Sequence, residues 1–87
     1  MRNENVVSMA NYMAHMITHL ASEGCTILSV FVDRHYTTDG HFRYSIQVLR
    51  DDAWDRWAAQ QVVTKDEQDR PTVKLLDGVV FAYELQL

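Results

Sequence analysis

The chain has 87 residues, 47% of them hydrophobic and 23% charged. That length suits one domain rather than two, here residues 1–87, and the composition is that of a globular chain rather than a disordered one. Asp and Glu outnumber Lys and Arg twelve to eight, giving a net charge of −4 that argues against a phosphate-binding surface and hence against direct nucleic-acid binding.

A domain of this size buries only about 60–65% of its unfolded surface, so its stability margin is thin, and a homodimer is one way to widen it. No apolar run approaches the roughly 20 residues of a membrane span. The opening Met1-Arg2-Asn3-Glu4-Asn5 lacks the basic-then-apolar pattern of a secretion signal. Cys25 is the one cysteine, which excludes an intrachain disulfide and fits a reducing, cytoplasmic setting.

From Asn5 to Glu23, the residues Val6, Met9, Ala10, Met13, Met16, Ile17, Leu20 and Ala21 recur at spacings of three and four. That is the period of an amphipathic helix. Ser8, Asn11, Tyr12, His15, His19 and Ser22 fall on its other face. Asn3 or Asn5 can cap its start, and Gly24 stands where a left-handed C-terminal cap is wanted.

Thr26 to Tyr36 reads as a strand, with Leu28, Val30, Val32 and Tyr36 on one side and Ile27, Ser29, Phe31 and Asp33 on the other. Thr37-Thr38-Asp39-Gly40 has turn chemistry. A second strand, His41 to Leu49, follows, with Phe42, Tyr44, Ile46 and Val48 inward and His41, Arg43, Ser45 and Gln47 outward. Together they make a hairpin.

Asp51 or Asp52 caps a second helix, and Asp55 places a carboxylate in its first turn. Its buried stripe is Trp54, Trp57, Ala58, Gln61 and Val62, and it runs to about Thr64 or Lys65. A charged connector, Lys65 to Arg70, stops before Pro71. Thr72 to Leu76 is then a strand, Asp77-Gly78 a two-residue hairpin turn, and Val79, Phe81, Tyr83, Leu85 and Leu87 the inward side of a strand running to the last residue.

The order is α-β-β-α-β-β, an α+β fold. The expected architecture is a four-stranded antiparallel sheet with two helices packed on one face. A ferredoxin-like β-α-β-β-α-β chain takes this order when its first strand moves to the end. The other layout sets the two hairpins side by side in chain order, and the pattern of residues does not choose between them.

The chemistry-bearing groups are sparse. His15 and His19 share a helix face at a spacing that suits a metal or a catalytic pair, with Tyr12 beside them. No Glu follows His15 as in His-Glu-x-x-His, and no third ligand stands near, so two solvated histidines is the plainer reading. Nothing orients Cys25 as a nucleophile. No metal or cofactor is expected, and no phosphate-cradling loop, nucleophile elbow or dinucleotide fingerprint is present.

Two surfaces suit a protein partner. One is acidic, carried by Asp51, Asp52 and Asp55 with Asp66, Glu67 and Asp69 across the second helix, and could meet a basic partner. The other is the outward sheet face, expected to show Phe31, Arg43, Gln47 and Lys74 with Ile27, Ser29, Ser45, Val80, Ala82 and Gln86. The expected function is therefore that of a small acidic, non-enzymatic protein that binds another macromolecule. Size, acidity and the lack of a catalytic motif resemble phage-encoded inhibitors of host defence or nucleic-acid-handling complexes, anti-CRISPR proteins among them. That resemblance is of size and charge alone and carries no residue over. The alternatives are a small-molecule, metal-binding or catalytic domain using His15 and His19, and a structural subunit of a larger assembly.

Overall fold

The computed structural model of the chain describes residues 2–34 and 42–85. The expected Thr37–Gly40 turn, and the placements of Tyr36, His41, Gln86 and Leu87, lie outside them. Helix α1 spans Arg2–Ser22, three residues further upstream than its apolar period suggests. Asn5 therefore sits inside the helix and does not cap it. Its side-chain oxygen instead accepts the Phe42 N–H at 2.7 Å, tying the first turns of α1 to the sheet. The other end of α1 closes as its sequence implies. Gly24 takes φ 85, its N–H reaches the Ala21 carbonyl, and the Cys25 N–H reaches Leu20. This 6→1 and 5→2 pair satisfies two terminal carbonyls and needs a left-handed residue, which glycine adopts without a Cβ penalty. Leu20 and Cys25, joined by it, are both buried.

Strands β1 (Ile27–Arg34) and β2 (Phe42–Leu49) pair antiparallel, followed by helix α2 (Asp52–Ala58). Asp51 caps α2, its Oδ1 accepting the Trp54 N–H at 3.0 Å. The helix stops two turns in, well short of Thr64. Its last turn tightens, with Gln60 and Gln61 N–H groups reaching back three residues to Trp57 and Ala58. Val62-Val63-Thr64 follows, three β-branched residues that lose side-chain freedom in a helix and suit an extended chain. The segment straightens into strand β3 (Thr64–Lys65), then β4 (Pro71–Leu75) and β5 (Gly78–Tyr83).

The sheet is five-stranded and mixed, in the order β1-β2-β5-β4-β3, rather than four-stranded and antiparallel. The short β3 is the cause. It runs parallel in sense to β2, so β4 returns against it and β5 comes down the same way as β2. The central pair, Tyr44↔Gly78 to Leu49↔Tyr83, is therefore parallel. Without β3 the same hairpin would enter reversed and every pair would be antiparallel. The last strand lies beside β2, so the hairpins are not laid side by side in chain order either.

The turn between β4 and β5 is Leu76-Asp77, with Asp77 at φ 61, not Asp77-Gly78; Leu75 pairs with Gly78. This one-residue slip turns every side chain of β5 to the other face. Val80 and Ala82 are buried under the helices, while Val79, Phe81 and Tyr83 take the opposite face, reversing the expected assignment. The small residues are needed where they are. Tyr44 lies directly over Gly78, and Val80 and Ala82 pair with Ile46 and Val48 in a row that must also accommodate Trp54 and Trp57. A second slip falls in β1. The register shifts between Ile27 and Ser29, leaving Leu28 as an extra residue, so Ile27 shares the helix side with Val30 and Val32 and packs on the core. The core is one cluster: Met9 and Leu20 from α1, Tyr44, Ile46 and Val48 from β2, Ala53, Trp54 and Trp57 from α2, and Val73, Val80 and Ala82 from the second hairpin. Strand β5 ends at Tyr83, and Leu85 beyond it is exposed rather than held in the sheet.

Candidate protein-binding face

Both helices pack on one side of the sheet, and among the described residues the other side is covered only by the segment Asp66–Arg70. Two cross-strand rows define it. One runs Phe31–Ser45–Val79–Lys74 across β1, β2, β5 and β4. The next runs Ser29–Gln47–Phe81–Thr72–Thr64, reaching β3. With strands about 4.8 Å apart, each row is roughly 15–20 Å long. The structure thus brings Phe31, Gln47 and Lys74 together, as the alternation of their strands implies, with Arg43 two residues before Ser45 on the same side of β2. Ser29 Oγ donates to Gln47 Oε1 at 2.8 Å, which orients the amide. Phe31 and Lys74 are exposed at the two ends of their row.

What sequence reasoning missed is a trough on this face. The segment Asp66–Arg70 folds back over β4 and β5, and encloses about 510 Å³ with Ser45, Thr72, Val79 and Phe81 as floor and Lys65 and Lys74 at the rim. The Arg70 guanidinium carbon lies over the Phe81 ring, 4.1 Å from its centroid, so the aromatic part of the floor is roofed by a cation. The Asp66 carboxylate is the segment's main side-chain anchor, beside the main-chain bonds from the Asp66 N–H to the Arg70 carbonyl and from the Asp69 N–H to the Asp66 carbonyl. Asp66 Oδ1 accepts the Gln68 and Arg70 main-chain N–H groups, each at 2.9 Å, and Oδ2 takes Arg70 Nε at 2.7 Å. Asp69, at φ 63, closes the turn and pairs with Lys65 at 3.3 Å.

Burial pulls the Asp66 carboxyl up, but the hydrogen bonds from Arg70 and Gln68 and the Arg70 charge outweigh it and hold the group below its ordinary value of 3.8. A depressed folded-state value stabilises the fold above pH 3.8, and this contribution is lost as pH falls through the lower folded value. Asp66→Ala should cost about 2 kcal/mol at pH 7 and less at a pH below the folded-state value, where the carboxyl is protonated, read by urea unfolding at both pH values. An equal loss at both would show that the charge on Asp66 does not hold the loop.

The acidic positions are largely engaged in the fold. Asp51 caps α2, Asp66 and Asp69 hold the loop, and Asp52 and Asp55 stand exposed in the first turn of α2, where the helix dipole favours them. The α2 acids lie on the helix side of the sheet and are not brought together with Phe31, Gln47 and Lys74. The two histidines are also separated in role. His15 is exposed, whereas His19 Nε2 accepts the Trp57 indole N–H at 2.9 Å, so its proton sits on Nδ1 and its outer lone pair is engaged. Among the described residues no three His, Cys, Asp or Glu side chains group as metal ligands. Cys25 is buried, and burial first, then the charges of Asp51 and Glu23, push its thiol up. It stays protonated at neutral pH.

No helix among the described residues is long and apolar enough to cross a membrane. Compared with protein-family models, with curated proteins and with solved structures, the chain gives no match.

Proposed function

We propose that this chain is a non-enzymatic protein that works by binding another protein on the uncovered face of its sheet. One observation carries the reading. The face sets exposed Phe31 and half-buried Val79 in a row with Ser45 and Lys74, next to a trough where Arg70 covers Phe81, so apolar and hydrogen-bonding groups are interspersed across it. Such a mixture of apolar and polar contact groups suits a protein interface of ordinary, non-obligate composition. The partner's side of the contact is a fairly flat surface that offers an apolar side chain to the trough and a carboxylate to Lys74, which makes no ion pair among the described residues. Nucleic acid suits it less well, because stacked bases need two or three aromatics with basic support and the face exposes Phe31 on edge strand β1 and Tyr83 at the far end of central strand β5, in separate rows.

The open face is preferred to the acidic flank of α2 because Asp51 is already engaged as a cap. The cytoplasm is the setting that best suits a protein whose one cysteine is a buried, protonated thiol. The test is affinity capture from the native host, followed by titration of the partner so identified. Ser45→Arg, at the centre of the first row, should weaken binding at least about tenfold, while the pair Asp52→Asn and Asp55→Asn should leave it unchanged. Full binding by Ser45→Arg, or loss on neutralising the α2 acids, would move the interface off the sheet.

A further inference from the structure

The two edges of the sheet are managed very differently. The β3 edge is two residues long and carries exposed Lys65, the features by which natural sheets discourage edge-to-edge pairing. The β1 edge is eight residues long and pairs with nothing on its outer side among the described residues. Its apolar side chains are exposed on both faces: Val30 and Val32 on the helix side at 38% and 48%, Phe31 on the open side at 57%, and Leu28 at the bulge at 41%. An edge of this length and composition is a template for another strand.

Above it lies a second apolar surface. On α1, Val7, Ala10, Ala14, Ile17 and Ala21 recur at spacings of three, four, three and four. At 3.6 residues per turn this stripe falls on the flank of the helix away from His19, which is the side that meets α2 through Trp57. Since α1 lies against β2 and β1, this flank of the helix overlooks β1. Val7, Ala14 and Ala21 are exposed.

We propose that a second copy of this chain occupies this side, pairing β1 antiparallel with β1 about a two-fold axis and setting the two α1 flanks against each other. The strand is self-complementary in that sense. Centred on Phe31, the pairing sets Val30 of one copy against Val32 of the other under the helices, and Phe31 against Phe31 on the open face. The apolar residues at the axis thus meet apolar ones, while Ser29 stands opposite Asp33 and Leu28 opposite Arg34 at the ends of the isologous pairing. The size also fits. An eight-residue strand is about 26 Å long, and the sheet-plus-helix layer is roughly 20 Å thick, so the contact buries on the order of 500 Å² per copy. The total of about 1,000 Å² is the lower limit for a specific interface, and it is reached only if the α1 flank joins the strand edge. The product is one ten-stranded sheet whose two uncovered faces meet at Phe31. This dimer stands independently of the protein-binding reading.

Sedimentation equilibrium of the full chain from about 1 µM to about 500 µM reads the association directly. The expected result is a monomer–dimer equilibrium in the micromolar range, weakened at least about tenfold by Val30→Lys, which sets like charges across the axis. Val30 is already more than one-third exposed, so the variant should keep its thermal midpoint. Amide hydrogen exchange of the unmodified chain gives a second reading, with slower exchange along Ile27–Arg34 at high concentration. A monomer throughout the range overturns the proposal, as does a dimer that Val30→Lys leaves intact or whose added protection lies outside β1 and α1. A monomer would leave the open-face reading standing, since that is judged by Ser45→Arg.

Discussion

Gly78→Ala should lower the stability of the fold by about 3 kcal/mol, the largest loss expected from adding a single methyl group anywhere in this chain. A Cβ on Gly78 would stand about 2.5 Å from three carbons of the Tyr44 ring. Backbone conformation is not the reason, since Gly24 is the glycine described with a positive φ. The constraint is space. Tyr44 is 1% exposed and packed with Ile46 and Val80, themselves fully buried, so the ring has no empty volume to enter. A domain of this size has about 5–10 kcal/mol of stability, and a loss near 3 should move the thermal midpoint down by about 15 °C. Urea unfolding of Gly78→Ala alone and in a Tyr44→Leu background isolates the clash. Most of the added cost should vanish when the ring is gone, a coupling of about 2 kcal/mol. Equal costs in both backgrounds would mean that Gly78 and Tyr44 are not in contact, and hence that β5 does not lie beside β2 in this register.

Trp57→Ala should cost about 4 kcal/mol, in the range of large aromatic deletions from a core. The effect is large because α2 is only seven residues long and has no stability of its own. It is held by Ala53, Trp54 and Trp57, of which Trp57 packs against Trp54 in a tilted pair, 5.6 Å between centroids, and donates to His19. Trp57→Phe keeps most of the apolar contact and loses the hydrogen bond, so it should cost distinctly less, about 1–2 kcal/mol. In the Trp57→Ala background, His19→Ala should add almost nothing, because its partner is already gone. Near-UV circular dichroism and urea unfolding read both changes. A Trp57→Ala protein of unchanged stability would show that α2 is not docked where the His19–Trp57 contact places it.

The local features of this fold were legible in its sequence, and the long-range ones were not. Gly24 after an apolar helix and Asp51 before Trp54 act through hydrogen bonds within a few residues, and both caps form as their residue types imply. The alternation of β2 is clean, and Tyr44, Ile46 and Val48 are buried as it requires. The sequence alone leaves the hairpin at residues 75–78 ambiguous, because Asp77-Gly78 and Leu76-Asp77 are both workable two-residue turns. The choice is made by packing on β2, where only glycine, valine and alanine fit beneath Tyr44 and the two tryptophans. That choice determines which residues form the open face, so Val79 and Phe81 could not be assigned to it from β5 alone. The bulge at Leu28 reassigns Ile27 in the same way. For β3 there was a signal, the β-branched run Val62-Val63-Thr64. Its consequence, reversal of the whole second hairpin, follows from a parity over three strands that no local window contains.

The sense of β5 relative to β2 decides which surface this protein presents, and nuclear Overhauser contacts between backbone protons of the two strands read it directly. Contacts should climb together along both strands, from Tyr44 with Gly78, through Ile46 with Val80, to Leu49 with Tyr83. Contacts that run in opposite senses along the two strands would return Val79 and Phe81 to the core and remove the proposed binding face, and contacts that join β2 to Thr72–Leu75 instead would contradict the strand order on which it is built.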